Sequence, residues 1–250
     1  DAAIEQFRAQ ALGGLGRYPT YYSLMAGMNR RGPRVLGRLI LPDGLDPERF
    51  EAAVARGAAI VDARDREAFA ARHVEGALNI ELDGTFAGYV GWLVPFGTPI
   101  ALVLPETPGA LEEATTELLR IGYERVSGWL EGGVEAWAAS GRATGSYATT
   151  TMRDLGAEHL AGTTEGILLD VRQPIEWEQD GVVPGAERIF VADLPARLAE
   201  LPPGERVTVF CKSGSRAAIA ASLLDRAGVD VRVVTKGGAA RWPQPLEQLR

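Results

Sequence analysis

The chain has 250 residues, 46% of them hydrophobic and 24% charged, with a formal net charge of −7. That length suffices for one large domain or two small ones with cores of their own, and the acidic balance argues against a general nucleic-acid binder. A single cysteine permits no intrachain disulfide, and no apolar run is long enough to span a bilayer, so no membrane partner is expected.

Residues 1–44 stand apart from the rest. Arg8, Arg17, Arg30, Arg31, Arg34 and Arg38 face only Asp1, Glu5 and Asp43, a formal +3 that leaves about −10 for the remainder. Helical pieces are predicted over Ile4 to Leu12 and Thr20 to Asn29. The aromatic cluster Tyr18-Pro-Thr-Tyr-Tyr22 is expected to pack this arm onto the domain that follows. No signal peptide is read at the start, but the chain opens at Asp1 rather than methionine, so an upstream segment, an address signal or a whole domain, is expected.

From 45 to 147 strands and helices alternate. Asp46 caps a helix over Pro47 to Arg56, Ala58 to Asp62 reads as a buried strand, and Arg64 to Ala70 as a short helix. Strands are predicted over Gly76 to Ile80, Pro99 to Leu104 and Tyr123 to Ser127. Helices are predicted over Leu111 to Ile121 and over Gly132 to Ala138. Such alternation implies a parallel sheet with helices on both faces.

From 148 to 250 the same landmarks return in order. Asp62-Ala-Arg64 recurs as Asp170-Val-Arg172, Gly76-Ala77 as Gly185-Ala186, and Gly132-Gly-x-x-x-Trp137 as Gly237-Gly-x-x-x-Trp242. The offsets of 108, 109 and 105 drift by no more than loops absorb. The chain is read as an arm over 1–44 and a duplicated α/β domain over 45–147 and 148–250. The Gly-Gly turns in both copies are expected to carry a packed indole.

The chemistry concentrates in Val207-Thr-Val-Phe-Cys211-Lys-Ser-Gly-Ser-Arg216 and the alanine-rich helix that follows. A thiol at the carboxyl end of a strand, facing a helix N-terminus, meets unpaired N–H groups and the positive end of the dipole. Gly214 lets successive N–H groups converge, and Lys212 and Arg216 add positive charge. All of this favours the thiolate, the nucleophilic form. A lone cysteine is more often a small buried apolar residue, but Lys-Ser-Gly-Ser-Arg is a poor lining for an apolar pocket.

Cys211-Lys-Ser-Gly-Ser-Arg216 resembles the active-site loop of rhodaneses, sulfurtransferases that carry sulfur as a cysteine persulfide. The likeness extends to Asp62-Ala-Arg, Glu67-Ala-Phe and His73-Val-Glu-Gly-Ala-Leu-Asn-Ile80, and to Asp170-Val-Arg, Glu176-Trp-Glu and Val183-Pro-Gly-Ala186. The second copy has Val182 or Val183 where the first has His73. The resemblance implies two rhodanese-like domains, each a parallel sheet flanked by helices on both faces. It makes Cys211 the nucleophile, with Lys212, Ser213, Gly214, Ser215, Arg216 and Arg172 holding the substrate. Arg216 pinning the loop, and Arg172 forming an ion pair with Asp170, stay open beside that reading.

In the first copy the alignment sets Pro105 at the cysteine position and Glu106 at that of Lys212, so the first domain is expected to be inactive. His73 is expected to hydrogen-bond locally. Tyr18-Pro-x-Tyr-Tyr with Met28-Asn-Arg-Arg-Gly-Pro33 is similar to the connector in fusions of a metallo-β-lactamase-fold persulfide dioxygenase to tandem rhodanese domains. That likeness implies an upstream dioxygenase domain; with only His73 and His159 here, no metal or cofactor is expected in this chain. Small sulfur anions or persulfides, a sulfur-acceptor protein and a cytoplasmic location complete the expectations. A cysteine phosphatase or arsenate reductase on the same loop, or a non-catalytic docking module, are the alternatives. Phosphatase loops, though, carry five residues between cysteine and arginine where this one has four.

Overall fold

The computed structural model describes residues 4–5, 19, 21–32 and 37–249. Most of the first expected helix, over Ile4 to Leu12, lies outside the described residues; Ile4 and Glu5 are helical. The second is helix α1 (Tyr22–Arg31). Tyr21 is buried against the first domain, where its ring lies so close to Gly91 that a Cβ there would sit 2.3 Å from it. Tyr22 stacks edge-on to Tyr21 but remains half exposed.

The first domain runs β1 (Gly44–Leu45), α2 (Pro47–Ala55), β2 (Ala59–Asp62), α3 (Arg66–Ala71), β3 (His73–Val74), β4 (Leu78–Asn79), α4 (Phe86–Leu93), β5 (Ile100–Val103), α5 (Ala110–Arg120), β6 (Val126–Leu130), α6 (Gly133–Ala139) and β7 (Thr144–Gly145). The second runs β8 (Ala148–Thr151), α7 (Met152–Leu160), β9 (Ile167–Asp170), α8 (Pro174–Asp180), β10 (Glu187–Arg188), α9 (Leu194–Arg197), β11 (Val207–Phe210), α10 (Ser215–Arg226) and β12 (Val231–Lys236). The duplication is visible in the sheets. The first has the order β1-β6-β5-β2-β4 and the second β8-β12-β11-β9-β10, every pair parallel. Both are flanked by helices.

Local signals explain much of this. Asp46 accepts the Arg49 N–H at 2.8 Å and Pro47 opens α2, as an N-cap and first-turn proline should. The central strands β5 and β11 are buried at all four positions, which accounts for their unbroken apolar runs. Beyond the short strands β1, β3 and β7, which were not predicted, two elements differ from the sequence reading. Strand β6 begins at Val126 rather than Tyr123, because Gly122 at φ +82° ends α5 and Tyr123 N–H caps it on Leu118 O. Helix α4 was not expected: Gly88 and Gly91 weaken its propensity, and packing supplies what propensity lacks.

Strand register also corrects the alignment of the two copies. Asp62 pairs with Val103 and Asp170 with Phe210, so Leu104, not Pro105, follows the strand where Cys211 does. The helices beyond begin after Gly109 and Gly214. The loop over 104–109 is therefore two residues longer than that over 211–214, and the insertion is what displaced the alignment. The chemical difference is unaffected, since the chain's only cysteine is Cys211.

The two domains share one apolar core. Val61, Leu78, Ile80, Phe86 and Val90 from the first join Leu169, Val171, Phe190, Ile219 and Leu223 from the second, and Trp92 meets Phe190 edge-on at 5.7 Å. Each such side chain, fully buried, contributes about 1.5–3 kcal/mol. Helix α10 lies between its own sheet and β4, so every residue from Ala217 to Leu224 is buried rather than one stripe. A polar clasp completes the contact: Asn79 N–H donates to Ser222 Oγ at 3.1 Å.

Candidate active site

Strand β11 delivers Cys211 to the start of α10, at the seam between the domains. The thiol is 1% exposed, and its Sγ accepts the Gly214 N–H at 3.1 Å. Gly214 takes φ +108°, a conformation that favours glycine, and α10 points its N-terminus at the sulfur. The turn after β12 supports the loop from below. Ala239 N–H donates to Cys211 O at 3.0 Å, and a Cβ on Gly238 would lie 2.0 Å from Lys212 O. Close backbone approach is thus the reason for glycine at 238. Trp242 is buried as the first copy's Trp137 is, although the second copy turns as a short 3-10 helix over Ala239–Arg241 instead of an α-helix.

The charged residues behave differently from one another. Arg216 forks onto Glu176: its Nη2 donates to Oε1 at 2.8 Å and its Nη1 to Oε2. Burial opposes the guanidinium charge, yet the Glu176 bond and the Cys211 charge hold its pKa above the ordinary value. Burial alone would raise the Glu176 carboxyl, but Arg216 and the Gln173 N–H hold it below the usual carboxylate range. The fork ties the first turn of α10 to Glu176 on α8.

Arg172 forms the ion pair with Asp170 that the sequence left open beside a substrate role. It is 1% exposed, with Nε and Nη2 on the Asp170 carboxylate at 2.7–3.0 Å and Nη2 also on Gly181 O at 2.8 Å. Arg64 makes the same fork on Asp62 and reaches Arg72 O at 2.9 Å. The pair is architecture common to both domains; it engages Nε and Nη2, while Nη1 lies 3.9 Å from Asp180 Oδ2. Lys212 and Ser213 are exposed, with Lys212 Nζ 3.8 Å from Asp180. Lys236 Nζ lies 2.9 Å from Glu67 of the first domain. Both ammonium groups are largely in water, where such pairs are weak, so both remain available to an incoming anion.

Arg66 and Tyr89 were not singled out from sequence, and Glu67 only as part of a family landmark. Arg66 and Glu67, consecutive on α3, reach across the seam: Arg66 Nη1 donates to Ser213 O at 2.9 Å, and Glu67 meets Lys236. Tyr89, on the unforeseen α4, has its phenol pushed up to about 12 by burial, opposed by the Arg216 charge and reinforced by Cys211 and Glu176. No pattern near 66, 67 or 89 signals this, because the partners are more than 80 residues away. His73 makes its local bond, Nδ1 to Phe69 O at 2.9 Å, and adds one across the seam to Asp225 Oδ2 at 3.1 Å.

A cavity of about 760 Å³ opens elsewhere, at the corresponding edge of the first domain, lined by Leu104, Pro105, Glu106, Trp129 and Glu135 among others. It holds no thiol and carries carboxylates where an anion site needs donors, so chemistry places the candidate site at Cys211.

A two-domain α/β protein with a thiol cradled at a helix N-terminus is the class that this geometry defines. Residues 46–140 and 154–244 match the rhodanese-like domain family, and the chain belongs to it. It is 31% identical over 86 residues to a sulfurtransferase from Allochromatium vinosum, covering 34% of this chain and 79% of that protein. It is 32% identical over 145 residues to a probable adenylyltransferase/sulfurtransferase, MoeZ, of Mycobacterium tuberculosis, covering 57% of this chain but 33% of that one. A thiosulfate sulfurtransferase structure from Pseudomonas aeruginosa is 25% identical, with a TM-score of 0.36 over 78% of this chain and 41% of that one. The chain thus spans less than half of the last two. Among the described residues no helix is long and apolar enough to cross a membrane.

Proposed function

We propose that this protein moves sulfane sulfur from thiosulfate or a persulfide to a thiophilic acceptor, such as cyanide or a thiol, through a persulfide on Cys211. The observation that carries the reading is the Gly214 N–H on Cys211 Sγ at the N-terminus of α10. The thiolate attacks the outer sulfur of the donor, forming the Cys211 S–S bond. The donor's own S–S bond breaks, and its electron pair leaves with sulfite or a thiolate. The acceptor then attacks the outer sulfur of the persulfide, and the pair returns to Sγ as thiolate. Backbone N–H groups over 212–216 hold the charge on sulfur, as preorganised donors do in an oxyanion hole.

With Arg216 engaged by Glu176 and Arg172 by Asp170, the donor's anionic end falls to Ser213, Ser215, the exposed Lys212 and the loop N–H groups other than that of Gly214, which serves the sulfur. The first domain, lacking a thiol, is inactive and forms one wall of the site. The upstream dioxygenase domain, the acceptor protein and the cytoplasmic location belong to this proposal. Initial-rate kinetics with thiosulfate and cyanide test it. Parallel double-reciprocal lines, abolished in Cys211→Ser, are expected; intersecting lines, or activity that survives the substitution, would overturn the mechanism.

A further inference from the structure

The peptide unit between Ser213 and Gly214 is held at both ends. Its N–H donates to Cys211 Sγ at 3.1 Å, and its C=O accepts Arg66 Nη1 at 2.9 Å. In a trans peptide these two groups point in opposite directions, so a guanidinium drawing on the oxygen aims the N–H at the sulfur. The same contact polarises the amide, and hydrogen bonds in series strengthen one another.

Arg66 is built to stay there. Its backbone N–H and its Nε both donate to Glu81 Oε1, at 3.0 and 2.9 Å, and its Nη2 donates to Ser215 Oγ at 3.2 Å. The side chain is 18% exposed. Gly214 admits it: a Cβ at that position would lie 2.2 Å from Arg66 Nη1 and 2.5 Å from Thr235 O. Only a planar fork serves Glu81, Ser213 O and Ser215 Oγ together.

We propose that Arg66, contributed by the domain without a thiol, is a positioning residue for Cys211: it orients and polarises the Ser213–Gly214 peptide so that its N–H stabilises the sulfur anion. The first domain thereby completes the site of the second. This rests on Cys211 being the nucleophile, as proposed above.

The test is the rate at which iodoacetamide alkylates Cys211 at fixed pH in the full chain, compared among wild type, Arg66→Met and Arg66→Lys, with thermal melting of each. Arg66→Met should alkylate about five- to tenfold more slowly while still melting cooperatively, the effect expected when a charge-assisted hydrogen-bond chain becomes a neutral one. Arg66→Lys should also be slowed, because an ammonium held by Glu81 does not reach both loop acceptors. Where sulfur transfer is measured, kcat should fall while KM for the donor holds, since the peptide acts on the sulfur and not on the donor's far end. A folded Arg66→Met that alkylates at the wild-type rate would overturn the proposal. If that variant does not fold, Arg66→Lys alkylating at the wild-type rate would do the same. Alkylation needs no sulfur chemistry, so a chain that alkylates normally yet transfers no sulfur counts against the proposed function and not against Arg66.

Discussion

Replacing Arg216 by methionine keeps the length of the side chain and removes its charge, which separates pinning from substrate binding. The pair it breaks is well shielded, with side chains 13% and 17% exposed. Removing one partner of a buried pair costs about 3–5 kcal/mol, and the residual exposure and the Gln173 N–H on Glu176 bring this nearer 2–3 kcal/mol. For a chain of this size that is a fall of about 5–10 °C in melting temperature. The pH dependence has a definite sign. In the wild type the Glu176 carboxyl lies below its ordinary value, so its stabilisation is present above about pH 4.3 and lost as pH falls through the folded value. Without Arg216, burial raises that carboxyl instead, and acidification relieves the penalty. Thermal melts at pH 7 and pH 5 should therefore show the gap between wild type and Arg216→Met narrowing at the lower pH, and Glu176→Gln added to Arg216→Met should recover much of the loss. An Arg216→Met protein as stable as wild type, with only a higher KM for thiosulfate, would refute pinning and make Arg216 a substrate ligand.

Two further substitutions probe the supports of the loop. Gly238→Ala places a methyl 2.0 Å from Lys212 O in backbone that is otherwise unstrained, so the loop must move. A loss of about 1–3 kcal/mol by urea unfolding, with slower Cys211 alkylation, is expected from such overpacking. Ser222→Ala strips the Asn79 N–H of its acceptor in a fully buried position, which should cost about 1–3 kcal/mol while leaving alkylation at the wild-type rate. A neutral Ser222→Ala would mean that the clasp between β4 and α10 contributes nothing.

What was legible in the sequence was what is local. The loop from Cys211 to Arg216 joins a four-residue apolar strand to an alanine-rich helix, and no distant partner is needed to read a thiol at a helix N-terminus from it. The repeated landmarks exposed the duplication because Asp-x-Arg and Gly-Ala serve the same ion pair and turn in both copies, and Gly-Gly-x-x-x-Trp buries an indole in each although the turns differ. Asp62–Arg64 and Asp170–Arg172 make the same fork, so the pair is present even in the copy without a thiol.

What escaped was what depends on the seam. Arg66 and Ser213 are 147 residues apart, and nothing around Arg66 distinguishes it from a solvated arginine. Glu176 was visible as part of a family landmark but not as the partner of Arg216, 40 residues on. Pro105 was set one place from its true register because a two-residue insertion precedes α5 while strand and helix on either side keep their pattern. Helix α4, with glycines at 88 and 91, forms because its surroundings bury it, a tertiary term that no window of sequence contains.

The most direct measurement is the intact mass of the purified chain after brief exposure to thiosulfate, before and after cyanide. A gain of about 32 Da, one sulfur, that cyanide removes and that Cys211→Ala never acquires is the result expected of a persulfide carrier. A mass unchanged by thiosulfate and by a low-molecular-weight persulfide alike would contradict it.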